Sequence, residues 1–311
     1  YHIKKIKKEQ KLNMKIFDCF MFYDEEILLE TRFNILNKYV DFFVIVESKF
    51  FHNGNPRDLK FDINKYEKFK NKIIYLIHDE EPSGIQAISV NESEAIKSWK
   101  HIENALMREN DQRNFIIKGL ENAKDDDLIL ISDVDEIPNL DSVDLKKVNN
   151  KIIIFEQDIF YYKLNRYLPN FIWYGTKGCK KKNLSSPQWL RNVKSNKYSF
   201  FRVDTFFSNT KYINKNYIKL GGWHFSNIKN VDDIELKLKS YLHHRDYEVE
   251  ELGKTKIKEL IKKNETIYDM FGDKALKKFD GKNRKKLELY ETKKLPVFIQ
   301  ENLDKYKRWM D

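Results

Sequence analysis

Four short, almost purely apolar runs recur along the first half of the chain, each bounded by charged or turn-forming residues. Lys15–Phe20 predicts a first strand, Phe42–Glu47 (FFVIVE) a second, Lys72–Ile77 (KIIYLI) a third and Asp127–Ser132 (DLILIS) a fourth. Runs of this length without polar alternation suit strands covered on both faces. Between them the period changes to that of a helix. Glu25–Leu36 predicts one, with Asp24 as N-cap and acids in the first turn, and a longer helical stretch covers residues 93–122. Strands alternating with helices imply parallel βαβ units and an open, doubly wound sheet, which binds ligands outside the carboxyl ends of its strands. Beyond residue 150 the pattern shifts. Lys151–Phe155 is one more apolar strand, whereas Ile159–Leu164 and Tyr198–Phe207 alternate and are aromatic, predicting antiparallel strands that extend the sheet and wall one side of a cleft. From Val231 onward charged helical segments dominate, ending in Gln300–Trp309. The expected fold class is α/β: a mostly parallel open sheet flanked by helices, with an antiparallel extension. The expected organisation is a basic arm or upstream extension over 1–13, one domain over 14–249 and a charged helical appendage over 250–311.

Composition removes several classes. Aromatics make up 14% of the 311 residues, which excludes a disordered chain. No stretch approaches 18 uncharged apolar residues, so no transmembrane helix is expected, leaving at most peripheral membrane contact. The opening YHIKKIKKEQKLN is basic but leads into no long apolar run, so no signal peptide is expected. Cys19 and Cys179 make no disulfide framework and fit a reducing, cytoplasmic compartment. The net charge of +10 is unevenly spread: residues 14–176 hold 21 basic and 29 acidic residues, whereas residues 177–219 hold eleven basic residues and one acid, Asp204. An acidic N-terminal half argues against a nucleic-acid coat. The positive segment reads either as a solvated surface or as a site for a phosphate-bearing ligand or an acidic acceptor.

The sharpest feature is Leu128–Pro138, LILISDVDEIP. A buried strand ends at Ser132, Asp133-Val134-Asp135-Glu136 follows at once, and Pro138 forbids a helix through the segment. Carboxylates at i and i+2 of an extended segment point the same way and can face one hard cation. Mg²⁺ or Mn²⁺ held by one or two carboxylates completes its shell with water and phosphate oxygens, which suits a nucleoside-diphosphate donor. The plain alternative is a surface acidic turn.

At this point a resemblance emerges. IFDCFMFYDEEILLETRFNIL, VDFFVIVES with HNGNPRDLKF, DQRNFIIKGL, ISDVDEIP and GGWHFS, in that order between Lys15 and Ser226, resemble the family 17 glycosyltransferases. The resemblance implies a GT-A-like fold, a UDP-sugar donor, a divalent metal (Mn²⁺, or Mg²⁺) and inversion at the anomeric carbon, with N-acetylglucosamine as the expected sugar and a glycan as acceptor. Within that frame Asp135 is the expected direct metal ligand, with Asp133 reaching the metal through water or contacting the donor's ribose. His224 in GGWHF is a candidate third ligand or else a histidine satisfied in a tight turn, and Gly221 and Gly222 would let backbone approach the diphosphate. Asp18 and Glu47, at the carboxyl ends of the first two strands, are assigned to uracil or ribose recognition, with structural hydrogen bonding as the alternative; HNGNPR (His52–Arg57) lies in the same layer.

Glu109 and Arg113 interrupt an apolar helical stripe at i and i+4, so Arg113 either pairs within the helix, touches donor phosphate or holds a metal-site carboxylate. Inversion needs a base. Among the carboxylates after the acidic turn (Glu136, Glu156, Asp158, Asp204), Glu156 and Asp158 follow a strand expected beside the metal strand and are the chosen candidates. Phe171, Trp173, Tyr174 and Trp189 are expected in core and cleft wall. His243 and His244 point about 100° apart on a helix and do not share one ion. Two other classes compete: a non-catalytic nucleotide-sugar or glycan-binding protein with a structural cation, and a metal-dependent nucleotidyltransferase.

Overall fold

The computed structural model describes residues 14–145, 147–241, 244–249, 251–268 and 284–311. β1 (Ile16–Phe22), α1 (Glu26–Leu36), β2 (Phe42–Ser48), β3 (Ile73–His78), α2 (Glu94–Asn114) and β4 (Leu128–Asp133) alternate along the chain as the apolar runs anticipate. Their strands are parallel in the order β3-β2-β1-β4, with Cys19 of β1 between Val44 and Ile131. Period-two alternation sends Phe17 and Cys19 to one face of β1 and Phe20 and Phe22 to the other. The Phe20 face is covered by Leu28, Leu29, Phe33 and Leu36 of α1, and the Phe17 face by Ile116 and Leu120, which follow α2. α2 is capped by the Ser93 hydroxyl, which accepts from Ile96 N; it ends at Asn114, and residues Phe115–Leu120 tighten into a 3-10 turn rather than prolonging it to 122.

The chain continues through β5 (Glu136–Pro138), β6 (Ile152–Tyr161), β7 (Arg166–Lys180), α3 (Pro187–Asn192), β8 (Lys215–Ile218), β9 (Gly222–Ser226) and α4 (Val231–Ser240). Among the described residues ten strands form one sheet. After β4 it runs β7-β6-β9-β5, with β7 antiparallel to both β4 and β6, and β9 parallel to β6 but antiparallel to β5. Only Val134 and Asp135 separate β4 from β5, yet β5 lies at the far end of that path. Two residues span less than about 10 Å, so the sheet curls and brings β9 to face the end of β4. The result is a curled, mostly parallel sheet flanked by helices.

Three expectations change here. Tyr198–Phe207 is no strand: it is an irregular excursion closing on a single helical turn, Asp204–Phe207. Ile159–Leu164 is strand only to Tyr161, because the chain turns at Tyr162 with φ 64°. The C-terminal stretch is not an appendage, since Leu295, Ile299 and Tyr306 are buried in the same core as α1, and Tyr306 OH meets Thr31 Oγ1 at 2.7 Å. The arm over 1–13 lies outside the described residues. No described helix is long and apolar enough to cross a membrane. Cys19 and Cys179 are both free and buried, and burial pushes the Cys179 thiol up to about 12.

Candidate functional site

A cavity of about 280 Å³ opens at the carboxyl edge of β1 and β4. Asp133, Asp135, His224 and Arg113 line it, together with Glu25, Arg57, His52 and Lys237. Asp133 reaches it from the last position of β4 and Asp135 from the two-residue turn before β5, rather than both from one extended segment. Antiparallel pairing of β5 with β9 sets Glu136 opposite His224, and the Asp135 carbonyl accepts from Phe225 N at 2.9 Å, which brings GGWHFS against the acidic turn.

Two arginines hold Asp133. Arg113 Nη2 donates to Oδ1 at 3.2 Å and Arg191 Nη2 to Oδ2 at 2.9 Å. Removal from bulk water would raise this carboxyl, but Arg191 and Arg113 outweigh it and hold the group below the usual carboxylate range. Arg113 also bonds Glu109 at 2.7 Å. Asp135 is 3.5 Å from His224 Nε2 and 3.7 Å from Lys237 Nζ; burial raises its carboxyl, but interactions with these two neighbours outweigh that and push it well down. Lys237 is driven the other way, since Asp135 and Glu25 overcome desolvation and keep the ammonium charged.

The turn itself is held by two arginines that the sequence did not single out. Arg32, wholly buried on α1, forks onto Asp18 at 2.7 and 2.5 Å, and donates to the carbonyls of Asp133, Val134 and Glu136 at 3.2, 3.3 and 2.7 Å. A carbonyl cluster at the end of a strand carries negative partial charge and needs such a cation. Arg191, on α3, reaches Glu136 at 2.7 and 3.0 Å as well as Asp133. Glu136, fully buried, also accepts from Trp173 Nε1 at 2.7 Å and from Asp133 N at 2.9 Å, so it acts as an internal brace. Arg32 left one readable signal: it shares a helix face with Leu28, Leu29 and Leu36. Arg191 left none, being one of eleven basic residues in its segment.

Several assigned residues stand elsewhere. Asp18 is consumed by Arg32, and Glu47 accepts from Arg57 at 2.5 Å, Lys60 N at 2.7 Å, Phe61 N at 3.0 Å and Tyr75 OH at 2.9 Å. Neither carboxylate lines the cavity; Glu47 instead orients Arg57, which does. Glu156 and Asp158 are on the wrong side of the sheet. β6–β9 register pairs Ile159 with His224 and Asp158 with Trp223, so Asp158 faces away from His224 and accepts from Tyr290 OH at 2.8 Å. Glu156, two residues earlier, shares that face. Asp204 is exposed and paired with Arg202 and Lys211. Gly221 and Gly222 approach protein backbone: a Cβ would lie 2.5 Å from the Ile218 carbonyl at Gly221, and 2.2 Å from that of Ile137 at Gly222, where φ is +131°. His244 is buried with Nδ1 2.9 Å from the Tyr241 carbonyl and is outside the cavity wall; His243 lies outside the described residues.

For a divalent cation the fit is a pair, not a trio. Among the described residues no group of three His, Cys, Asp or Glu is set to hold a metal ion. Asp133 gives one oxygen to each of two arginines. Asp135 and His224 do fit: cis ligands of an octahedral ion with bonds near 2.1 Å stand about 3 Å apart, close to the 3.5 Å observed.

These features define an α/β protein with a cavity at the carboxyl edge of parallel strands and a carboxylate turn framed by arginine and lysine. Residues 2–310 match the family described as Glycosyltransferase family 17, and the chain belongs to that family. It is similar to the beta-1,4-mannosyl-glycoprotein 4-beta-N-acetylglucosaminyltransferases of Homo sapiens, Rattus norvegicus and Mus musculus, 26% identical to each over 238 residues. The match takes in 68% of this chain and spans only 40% of the length of those relatives.

Proposed function

We propose that the protein is a metal-dependent, inverting glycosyltransferase with a GT-A-type arrangement, which moves N-acetylglucosamine from a UDP-sugar to a glycan hydroxyl. Family membership supplies the transferase reading, and the names of the relatives supply the sugar. The supporting observation in this chain is the convergence of Asp133, Asp135 and His224 with Arg57, Arg113 and Lys237 on one cavity. Asp135 and His224 would hold Mn²⁺ or Mg²⁺, which when bound supplies Lewis-acid neutralisation of the departing diphosphate. The chain's own residues do the rest. Arg32 and Arg191 lock the acidic turn, so its carboxylates need no reorganisation when the donor enters. Lys237, half-buried and charged, contributes a fixed cation to the wall facing the leaving group. The acceptor's proton needs a carboxylate within the cavity. Glu109 is committed to Arg113, which leaves Glu25: its Oε2 accepts from Tyr23 N and Asp24 N at 3.3 and 3.2 Å, while Oε1 only faces Lys229 and Lys237 at 3.8 and 4.0 Å.

Calorimetric titration with UDP and UDP-N-acetylglucosamine, with and without Mn²⁺, tests this reading. Metal-dependent UDP binding that vanishes in Asp135→Ala supports it, as does free UDP, not pyrophosphate, as the released product. No UDP binding by folded wild type under any metal condition would overturn it. Glu25→Gln is expected to bind UDP normally and to lose transfer by at least about a hundredfold.

A further inference from the structure

Five apolar side chains stand in solvent within the eight residues 200–207. Phe200, Phe201, Phe206 and Phe207 are 75%, 89%, 70% and 88% exposed, and Val203 between them is 65% exposed. Soluble surfaces scatter single apolar residues, but a contiguous patch of aromatic rings marks an interaction site. The excursion that carries them is tied at its base. Lys194 N donates to the Thr210 carbonyl at 2.9 Å, Lys215 Nζ to the Lys194 carbonyl at 2.8 Å and Tyr217 OH to the Ser195 carbonyl at 2.8 Å. The tip is therefore presented on a fixed stem. That stem begins three residues after Arg191, which grips Asp133 and Glu136.

The net charge around the tip is positive. Lys194, Lys197 and Arg202 are exposed, and Asp204, the one acid among residues 177–219, is already bridged by Arg202 at 2.7 Å and Lys211 at 3.0 Å. A second copy seated on the same patch across a two-fold axis would set these cations against one another. A surface that accepts aromatic rings and carries dense negative charge is the interface of an anionic bilayer. There the rings occupy the boundary of headgroups and acyl chains, and the cations meet lipid phosphates and carboxylates. We propose that residues 195–209 form a membrane-docking loop. Phe200, Phe201, Phe206 and Phe207 enter the bilayer interface, and Lys194 and Lys197 hold anionic headgroups, which sets the Arg191 side of the acidic turn toward the bilayer surface.

Co-sedimentation of the full chain with vesicles tests this without reference to glycosyl transfer. The vesicles are phosphatidylcholine alone, or phosphatidylcholine with one third phosphatidylserine, at low and high salt. Wild type is expected to bind the serine-containing vesicles at least about tenfold more tightly, with the advantage falling in high salt. The joint variant Phe200→Ser, Phe201→Ser, Phe206→Ser, Phe207→Ser, and separately Lys194→Glu with Lys197→Glu, should each lose about tenfold or more with an unchanged melting curve. As a reporter in the otherwise intact chain, Phe201→Trp should shift its emission to the blue on anionic vesicles. The proposal is overturned if wild type ignores anionic vesicles or if the Phe201→Trp emission stays put. Retained binding by the four-Phe variant, through residues 1–13 or any other patch, would also overturn it, as would a wild-type dimer that this variant converts to monomer.

Discussion

Arg32 is the residue on which the acidic turn depends, and its energetics are those of a buried pair. Its side chain and that of Asp18 are both fully buried, so removing one partner leaves the other charge without compensation. Arg32→Met is expected to destabilise by about 3–5 kcal/mol in urea denaturation, and adding Asp18→Asn should recover a large part of that. Lys177 is the second informative residue. Burial, followed by nearby Arg191, pushes its ammonium down to about 7, although Nζ donates to the Arg191 and Val193 carbonyls at 2.6 Å each. An unfolded lysine titrates near 10.4, so between pH 7 and that value the unfolded chain binds the extra proton and this contribution to stability rises with pH. Comparing denaturation of wild type and Lys177→Met between pH 7 and 9 should show wild type gaining up to about 1.4 kcal/mol per pH unit relative to the variant. A flat difference would mean Lys177 is not desolvated. Asp133 and Asp135 were legible because an apolar strand, two acids and a proline are contiguous. Arg32 and Arg191 act across 101 and 58 residues of chain, and no local pattern announces such partners.

At the scale of elements, strand register decides which carboxylates share the face of His224. Glu156 and Asp158 lie on the strand beside β9, yet the β6–β9 pairing turns them to the Trp223 and Tyr290 side. Glu156→Gln and Asp158→Asn are therefore expected to keep kcat within about threefold of wild type, whereas Glu25→Gln is not. A hundredfold loss in either of the first two would place the acceptor on the opposite face. The β5–β9 pair is equally specific. Gly222→Ala puts a Cβ 2.2 Å from the Ile137 carbonyl at a φ of +131°, so the strands must part and His224 must leave Asp135. Its expected signature is a loss of about 2–4 kcal/mol in stability together with loss of metal-dependent UDP binding.

Across the whole molecule, the last seventeen residues close the core over α1. Ile299 and Tyr306 are fully buried, and Leu295 nearly so, within the cluster that holds Leu29 and Phe33. Ile299→Ala should cost about 2–5 kcal/mol, and a chain ending at residue 294 should lose cooperative unfolding. A truncated chain that melts like wild type would restore the picture of an appendage. The same closure explains why charged helical spacing misleads here. Residues 295–311 carry polar groups outward and only a few apolar anchors inward, a pattern that looks peripheral until the surface it covers is known.

The sequence alone determined what is local: apolar runs of strand length, the helical period between them, and a carboxylate turn where one such run stops. Those follow from backbone geometry and burial within a few residues of chain. Tertiary structure decided what depends on distant partners. The curl that folds β9 back onto β4 makes Asp135 a neighbour of His224, and the register of β6 sends Glu156 and Asp158 out of the site. The arginines on α1, α2 and α3 reach the turn only once the sheet has brought those helices together. Side-chain direction alternates at every residue of a strand, so a pairing shift of one position reverses it, and that choice is made by the whole core rather than by any stretch of sequence.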